Sequence, residues 1–229
     1  MKIKGLQKTT LLDFPEKLAC TVFTGGCNFR CPFCHNASLV LHAGAVDEIS
    51  EKEFFTYLSK RKGMLDGVCI TGGEPLLCPD IEEFIKKIKE LGLLVKLDTN
   101  GTFPKKLEAL LDEGLVDYVA MDIKNSKEKY AHTAGVEDFP KEIEQSIDII
   151  MKKAPDYEFR TTVVRELHTK QDILDIANRI KGARKYFLQS YVDSGDTIEN
   201  GFSAYSAAEM LEILENTRKV LGITVLRGV

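Results

Sequence analysis

Apolar positions along the chain fall into two kinds of segment. Short runs rich in β-branched and aromatic residues stop at glycine or polar residues, and longer stretches between them repeat apolar residues at spacings of three and four. The first kind predicts strands at Ala19–Thr24, Val68–Thr71, Leu94–Thr99, Tyr118–Ile123, Glu158–Val164, 185–189 and, more briefly, 223–226. The second predicts helices. One opens at Ser50 with Glu53 three residues on, a capping-box pairing, and ends near Gly63. The next has Asp80 as cap and Glu83 to complete the box. Ile81, Phe84, Ile85, Ile88 and Leu91 line one face, and Gly92 ends it. Pro104 starts a helix carrying Leu107, Leu110 and Leu111, and another runs through Ile143, Ile147, Ile150 and Met151. Helices at 171–181 and 206–221, the latter opened by Ser206 with Glu209, complete the series.

Strands that alternate with helices imply parallel pairing through right-handed crossovers, with both sheet faces covered. A closed eight-unit barrel ordinarily takes ~250 residues. The chain has 229 residues, and six or seven units are visible. The pattern therefore predicts a single α/β domain: an incomplete (β/α)6-type parallel barrel, a partial TIM barrel, over 19–229, with 1–18 as an N-terminal extension. A doubly wound open sheet is the second reading. In either architecture the carboxyl ends of the strands converge on the ligand site. Those ends carry Gly25-Gly26, Gly72–Pro75, Asp98–Gly101, Asp122–Lys124 and Gln189-Ser190.

Composition narrows the classes. Hydrophobic residues make up 44% and charged residues 29%, enough apolar material for a core. Lys plus Arg number 31 against 35 Asp plus Glu, a net of −4, which argues against a nucleic-acid coat. No apolar run approaches a membrane span, and the opening MKIKGLQKTT lacks a signal-peptide core. The expectation is a cytoplasmic protein without membrane or nucleic-acid partners.

Six cysteines are too few for a disulfide-built fold of this length. Cys20 and Cys69 fall within predicted strands and read as small buried hydrophobes, and Cys78 stands apart. Cys27, Cys31 and Cys34 instead crowd into the loop segment GGCNFRCPFCHN. Three readings are open. Structural zinc would use His35 or a distant residue as fourth ligand, but shows only half of the usual paired signature. A redox pair of Cys31 and Cys34 leaves Cys27 unexplained. A four-iron cluster on three cysteines would leave one iron open to a small ligand. Of the four histidines, His35 suits a structural or backbone contact, whereas His42, His132 and His168 read as surface residues.

The Cys-x3-Cys-x2-Cys loop after a first strand, with Phe33 before its last cysteine, resembles that of the radical S-adenosylmethionine enzymes. The resemblance extends to TGGEP at Thr71–Pro75. LDTNG at Leu97–Gly101 and MDIK at Met121–Lys124 are similar to segments of the glycyl-radical-activating branch. It implies that Cys27, Cys31 and Cys34 hold a 4Fe-4S cluster whose open iron takes the amino and carboxylate groups of S-adenosyl-L-methionine. It further implies that Gly72 and Gly73 allow a close backbone approach and that Glu74 accepts a hydrogen bond from the amino group. Phe33 would face the adenine, with the backbone of Cys34 and His35 alongside. Asp98 would lie near the sulfonium or ribose. Lys124 would pair with the carboxylate, and Asp122 with Ile123 would shape the adjoining loop. The alternatives are turn caps for Asp98 and Asp122 and surface charges for Glu74 and Lys124, with the functional reading preferred at each.

The opening GLQKTTLLDFPEKLACTVFTGGCNFRCPFCHN looks most like the activating proteins assigned to anaerobic ribonucleoside-triphosphate reductase. The implied partners are a glycyl radical enzyme and an electron donor such as flavodoxin or ferredoxin. Related pyruvate formate-lyase activators carry a histidine near the last barrel strand, where this chain reads FLQSYVDSGD and Gln189 would stand in. The polar loop 190–205 and the stretch 125–138 are candidates for meeting the partner. A radical enzyme acting on a small molecule, a pyruvate formate-lyase-type activase and a non-catalytic zinc module are the alternatives.

Overall fold

A computed structural model describes residues 1–228. One eight-stranded sheet runs through the chain in sequence order. Strand β1 (Ile3–Thr10) pairs antiparallel with β2 (Ala19–Thr24). The remaining strands join in parallel: β3 (Gly67–Gly72), β4 (Leu94–Thr99), β5 (Tyr118–Asp122), β6 (Asp156–Val163), β7 (Tyr186–Ser190) and β8 (Thr224–Arg227). Helices α1 (Ala37–Leu41) and α2 (Glu51–Lys60) follow β2. Then α3 (Ile81–Glu90) follows β3, α4 (Pro104–Asp112) follows β4, and α5 (Lys127–Ala134) with α6 (Glu142–Lys153) follow β5. Helices α7 (Lys170–Arg179) and α8 (Ala207–Arg218) complete the series. Six β/α units and a closing strand make a barrel left open between its end strands β1 and β8, the partial barrel that the pattern predicted.

Residues 1–18 are not merely an extension, since they supply β1. The alternation that marks a half-buried strand is absent there, because only Ile3 and Thr10 of its residues are buried. Capping boxes form at Ser50–Glu53 and Ser206–Glu209, and a third at Thr169–Asp172. The box expected at Asp80–Glu83 does not form. Asp80 makes no side-chain cap bond and pairs with the α-amine of Met1 instead.

The barrel's two faces differ in chemistry. Outward-facing strand residues such as Ile70, Leu97, Met121 and Phe159 pack with helix residues such as Phe84, Ile85, Leu107 and Ile147 in one large apolar core. Inside, a small cluster of Phe14, Ala19, Tyr118 and Ala120 plugs the floor, with the Phe14 and Tyr118 rings 6.0 Å apart. Above that floor the interior is polar, which leaves a chamber rather than a filled barrel.

Candidate active site

A cavity of about 240 Å³ sits at the carboxyl ends of the strands. Cys27, Cys31 and Cys34 line it from the loop after β2, all three as free thiols. Gly72 and Gly73, Asp98, Asp122, Lys124 and Gln189 join them from the ends of β3, β4, β5 and β7, and Phe33 and His35 from the cysteine loop. Two expected residues lie elsewhere. Glu74 is fully buried, and its carboxylate accepts from Leu76 N (3.1 Å), Thr99 Oγ1 (2.9 Å) and Asn100 N (2.6 Å). Two of those donors, on Thr99 and Asn100, bind it to the end of β4, and it lies outside the cavity lining. Burial pushes its carboxyl up to about 7, against the pull of these hydrogen bonds. Ile123 is also fully buried, and it shapes the loop through its backbone, which takes Thr161 Oγ1 at 2.8 Å.

The glycine pair has a reason in the chain itself. A Cβ on Gly73 would stand 1.9 Å from the Gly26 carbonyl, and Gly72, at φ +109, lies against Thr24. Only hydrogen side chains let the β3 end lie this close to the cysteine loop. Gly73 N then reaches Thr24 O (2.9 Å) and Glu74 N reaches Gly26 O (2.8 Å).

The charges form an alternating chain: Lys96, Asp98, Arg160, Asp122, Lys124. Lys96 pairs with Asp98, Arg160 spans Asp98 (3.1 Å) and Asp122 (2.8 Å), and Lys124 meets Asp122 (3.1 Å). Register explains the span. Asp98 lies beside Ala120, and Asp122 lies beside Arg160. The small Ala120 side chain therefore lets the guanidinium cross β5. Burial raises the carboxyls, but Arg160, together with Lys96 at Asp98 and Lys124 at Asp122, holds both below the usual carboxylate range. Asp122 holds the half-buried Lys124 ammonium firmly charged.

Sequence reasoning missed Arg160, Asn100, Asn36 and Thr162, which also line the cavity. The available signal was a charge inside an apolar strand, Arg160 in EFRTTVV and Lys96 in LVKLDT. It also misplaced His168, which is 1% exposed rather than on the surface. Its Nδ1 accepts from Val164 N (3.1 Å), so Nε2 carries the proton and donates to Lys124 O at 2.7 Å. Burial lowers its pKa, and the neutral ring props the Lys124 loop and meets Phe33 edge-on. His42 and His132 are exposed as expected.

Both loops suggested for partner contact pack on the cysteine loop. Glu199 N donates to Pro32 O (2.8 Å), Ser38 Oγ to Asp196 Oδ2 (2.9 Å), and the Tyr191 ring lies 5.4 Å from His35. In the stretch 125–138, Arg30 N donates to Ala134 O (2.9 Å).

The donor set fits an iron–sulfur cluster. Three free thiols share one cavity wall, and Cys20, Cys69 and Cys78 are absent from it. Among the described residues, no three His, Cys, Asp or Glu side chains gather as they would around one ion. A four-iron cluster instead takes its thiolates on separate irons, which suits a more open arrangement.

The chain belongs to the Radical SAM superfamily, whose family model matches residues 21–180. It is an enzyme of radical chemistry. A candidate glycyl-radical enzyme activating enzyme of Methanocaldococcus jannaschii is 31% identical over 99% of this chain and 96% of its own length. The pyruvate formate-lyase-activating enzyme of Clostridium pasteurianum is 33% identical over 54% of this chain and 52% of that enzyme. The GTP 3′,8-cyclase of Aquifex aeolicus is 28% identical over 89% of this chain and 66% of its own. Among solved structures, Streptococcus suis SuiB bound to S-adenosylmethionine matches with a TM-score of 0.68 and 16% identity. That match covers 90% of this chain and 49% of SuiB, and it shows a shared fold. No described helix is long and apolar enough to cross a membrane.

Proposed function

We propose that the protein activates a glycyl radical enzyme, taking a hydrogen atom from a glycine Cα in a partner of the anaerobic ribonucleoside-triphosphate reductase type. A flavodoxin or ferredoxin would supply the electron. When bound, a 4Fe-4S cluster supplies that electron to S-adenosyl-L-methionine, splitting the sulfur–C5′ bond to give methionine and a 5′-deoxyadenosyl radical. Cys27, Cys31 and Cys34 would hold the cluster. Lys124, steadied by Asp122 and by His168 behind its backbone, would pair with the cofactor's carboxylate. Phe33 would offer a face for the adenine, and Asp98 and Gln189, on the barrel side of the cavity, would meet the ribose.

The observation that carries the substrate class is the charge balance of the chamber beyond the cavity. About 570 Å³ of space continues from Asp98, Arg160 and Gln189 to the seam between β1 and β8, where Leu12 and Arg227 line it. The chamber's cations among the described residues each have a carboxylate: Lys96 with Asp98, Arg160 with Asp98 and Asp122, Arg227 with Glu158. None of these is left free to neutralise the charge of a nucleoside triphosphate. A polar but neutralised slot suits an uncharged chain segment carrying a glycine. The likeness to GTP 3′,8-cyclase favours a small-molecule substrate instead, and the two readings separate in one experiment. Reconstituted, reduced protein with S-adenosylmethionine is mixed either with the glycine-bearing domain of an anaerobic reductase or with GTP. A glycyl-radical doublet by electron paramagnetic resonance supports the proposal. Turnover of GTP without a partner contradicts it.

A further inference from the structure

Cys27 differs from its two companions in what surrounds its sulfur. Phe29 N donates to Cys27 Sγ at 3.4 Å, and Asn100 Nδ2 reaches the same sulfur at 3.8 Å. Cys31 has the opposite environment, since its thiol points at an acceptor, the Ala134 carbonyl, at 3.8 Å. The orientation of the Asn100 amide is fixed by its neighbours. Thr102 N, which can only donate, bonds Asn100 Oδ1 at 3.0 Å, and Thr102 Oγ1 donates to the same oxygen at 2.7 Å. Nδ2 therefore faces the other way. It has two hydrogens, one for Asn28 Oδ1 (2.8 Å) and one for Cys27 Sγ. Asn28 Nδ2 closes the ring by donating to Thr102 Oγ1 at 2.9 Å. The backbone N of Asn100 is bound to Glu74, so the whole device is anchored to the end of β4. Asn100 is 6% exposed, which limits competing water at its own amide, whereas the Asn28–Thr102 bond is exposed.

We infer that Asn100 is a positioning residue that tunes the radical machinery through Cys27: its side-chain amide donates an N–H···S bond to the cluster-bearing sulfur and makes the cluster easier to reduce. Reduction adds negative charge that spreads onto the ligand sulfurs, and a donor aimed at one of them stabilises the reduced form more than the oxidised one. The inference rests on Cys27 being a cluster ligand, but not on the identity of the partner.

The test is a redox titration of the reconstituted protein, followed by the paramagnetic signal of the reduced cluster, with iron and sulfide content measured alongside. Asn100→Ala removes the donor. Asn28→Ala removes only the acceptor of the other Nδ2 hydrogen and leaves the Asn100 backbone bond to Glu74 in place. With full iron content, Asn100→Ala is expected to lower the reduced-to-oxidised ratio at a fixed applied potential by roughly threefold to tenfold, the size of one lost hydrogen bond. Asn28→Ala should move it the same way by less. A potential unchanged in Asn100→Ala at full iron content overturns the inference. If that variant takes up no iron, an unchanged potential in Asn28→Ala overturns it instead. An unaltered chain that assembles no cluster overturns the reading of Cys27 together with the inference.

Discussion

Arg160 decides the protonation of the barrel interior. Its guanidinium keeps Asp98 and Asp122 below the ordinary range despite their burial. Both carboxylates therefore contribute stability above the unfolded value near pH 3.8, and that contribution is lost as pH falls below it. In Arg160→Gln each carboxylate keeps one cation, Lys96 at Asp98 and Lys124 at Asp122, but loses the guanidinium they share, so both carboxyls rise toward their unfolded values. The stability gained as pH rises from about 1 to 5 should therefore shrink in the variant. Losing the shared cation is expected to cost up to about 3 kcal/mol near neutrality. Denaturant unfolding across that pH range checks both slope and size, and parallel curves for the two proteins would refute the assignment. Individual residues were unevenly legible in the sequence. The cysteines and the acidic strand ends stand out because glycine and charge interrupt apolar runs there. Glu74 shares that signature, yet donors from Leu76, Thr99 and Asn100 turn it into a strut, and Thr99 and Asn100 come from a distant strand end that no local pattern joins to it. His168 was misread for a similar reason, since its partner Lys124 O lies 44 residues away.

At the scale of elements, α5 acts as a buttress for the cysteine loop. Its last residue, Ala134, accepts from Arg30 N, and Gly135 follows at φ +65 with the Arg30 carbonyl 2.2 Å from where a Cβ would stand. Gly114 closes α4 at the same φ of +65, but a Cβ there would meet nothing within 4 Å. The two glycines form a matched pair. Gly114→Ala should cost about 1 kcal/mol of backbone strain and leave iron uptake intact. Gly135→Ala carries the same strain and a backbone clash, so it should be destabilised further and retain less iron after reconstitution. Equal melting temperatures and equal iron contents would show that α5 does not position the loop. The sequence did not reveal this helix, because only Tyr130, Thr133 and Ala134 of its residues are buried and the stripe is too short to read. The longer helices were legible because α3 and α6 bury full faces. Strand β1 was not legible, since antiparallel edge pairing leaves most of its side chains half exposed or exposed.

The whole molecule is a barrel with a plugged floor, a polar interior and an open seam. Its parallel order could be inferred from alternating strands and helices, since crossover geometry leaves few alternatives. The chamber could not, because it depends on which strand residues point inward and on the small Ala120 beneath Arg160. That architecture places the cysteine cavity at one end of a continuous polar space and the seam at the other. The arrangement suits a radical made at one point and used nearby, beside a cysteine loop against which the loop 190–205 packs. The central claim is reductive cleavage of S-adenosylmethionine at those cysteines. The most direct measurement is the yield of 5′-deoxyadenosine from anaerobically reconstituted, reduced protein, with Cys31→Ala run beside it. The account predicts product from the unaltered chain and a loss of at least about a hundredfold in the variant, more than 2.7 kcal/mol of lost transition-state stabilisation. Equal yields from both, or none from an unaltered chain carrying its full complement of iron, would contradict it.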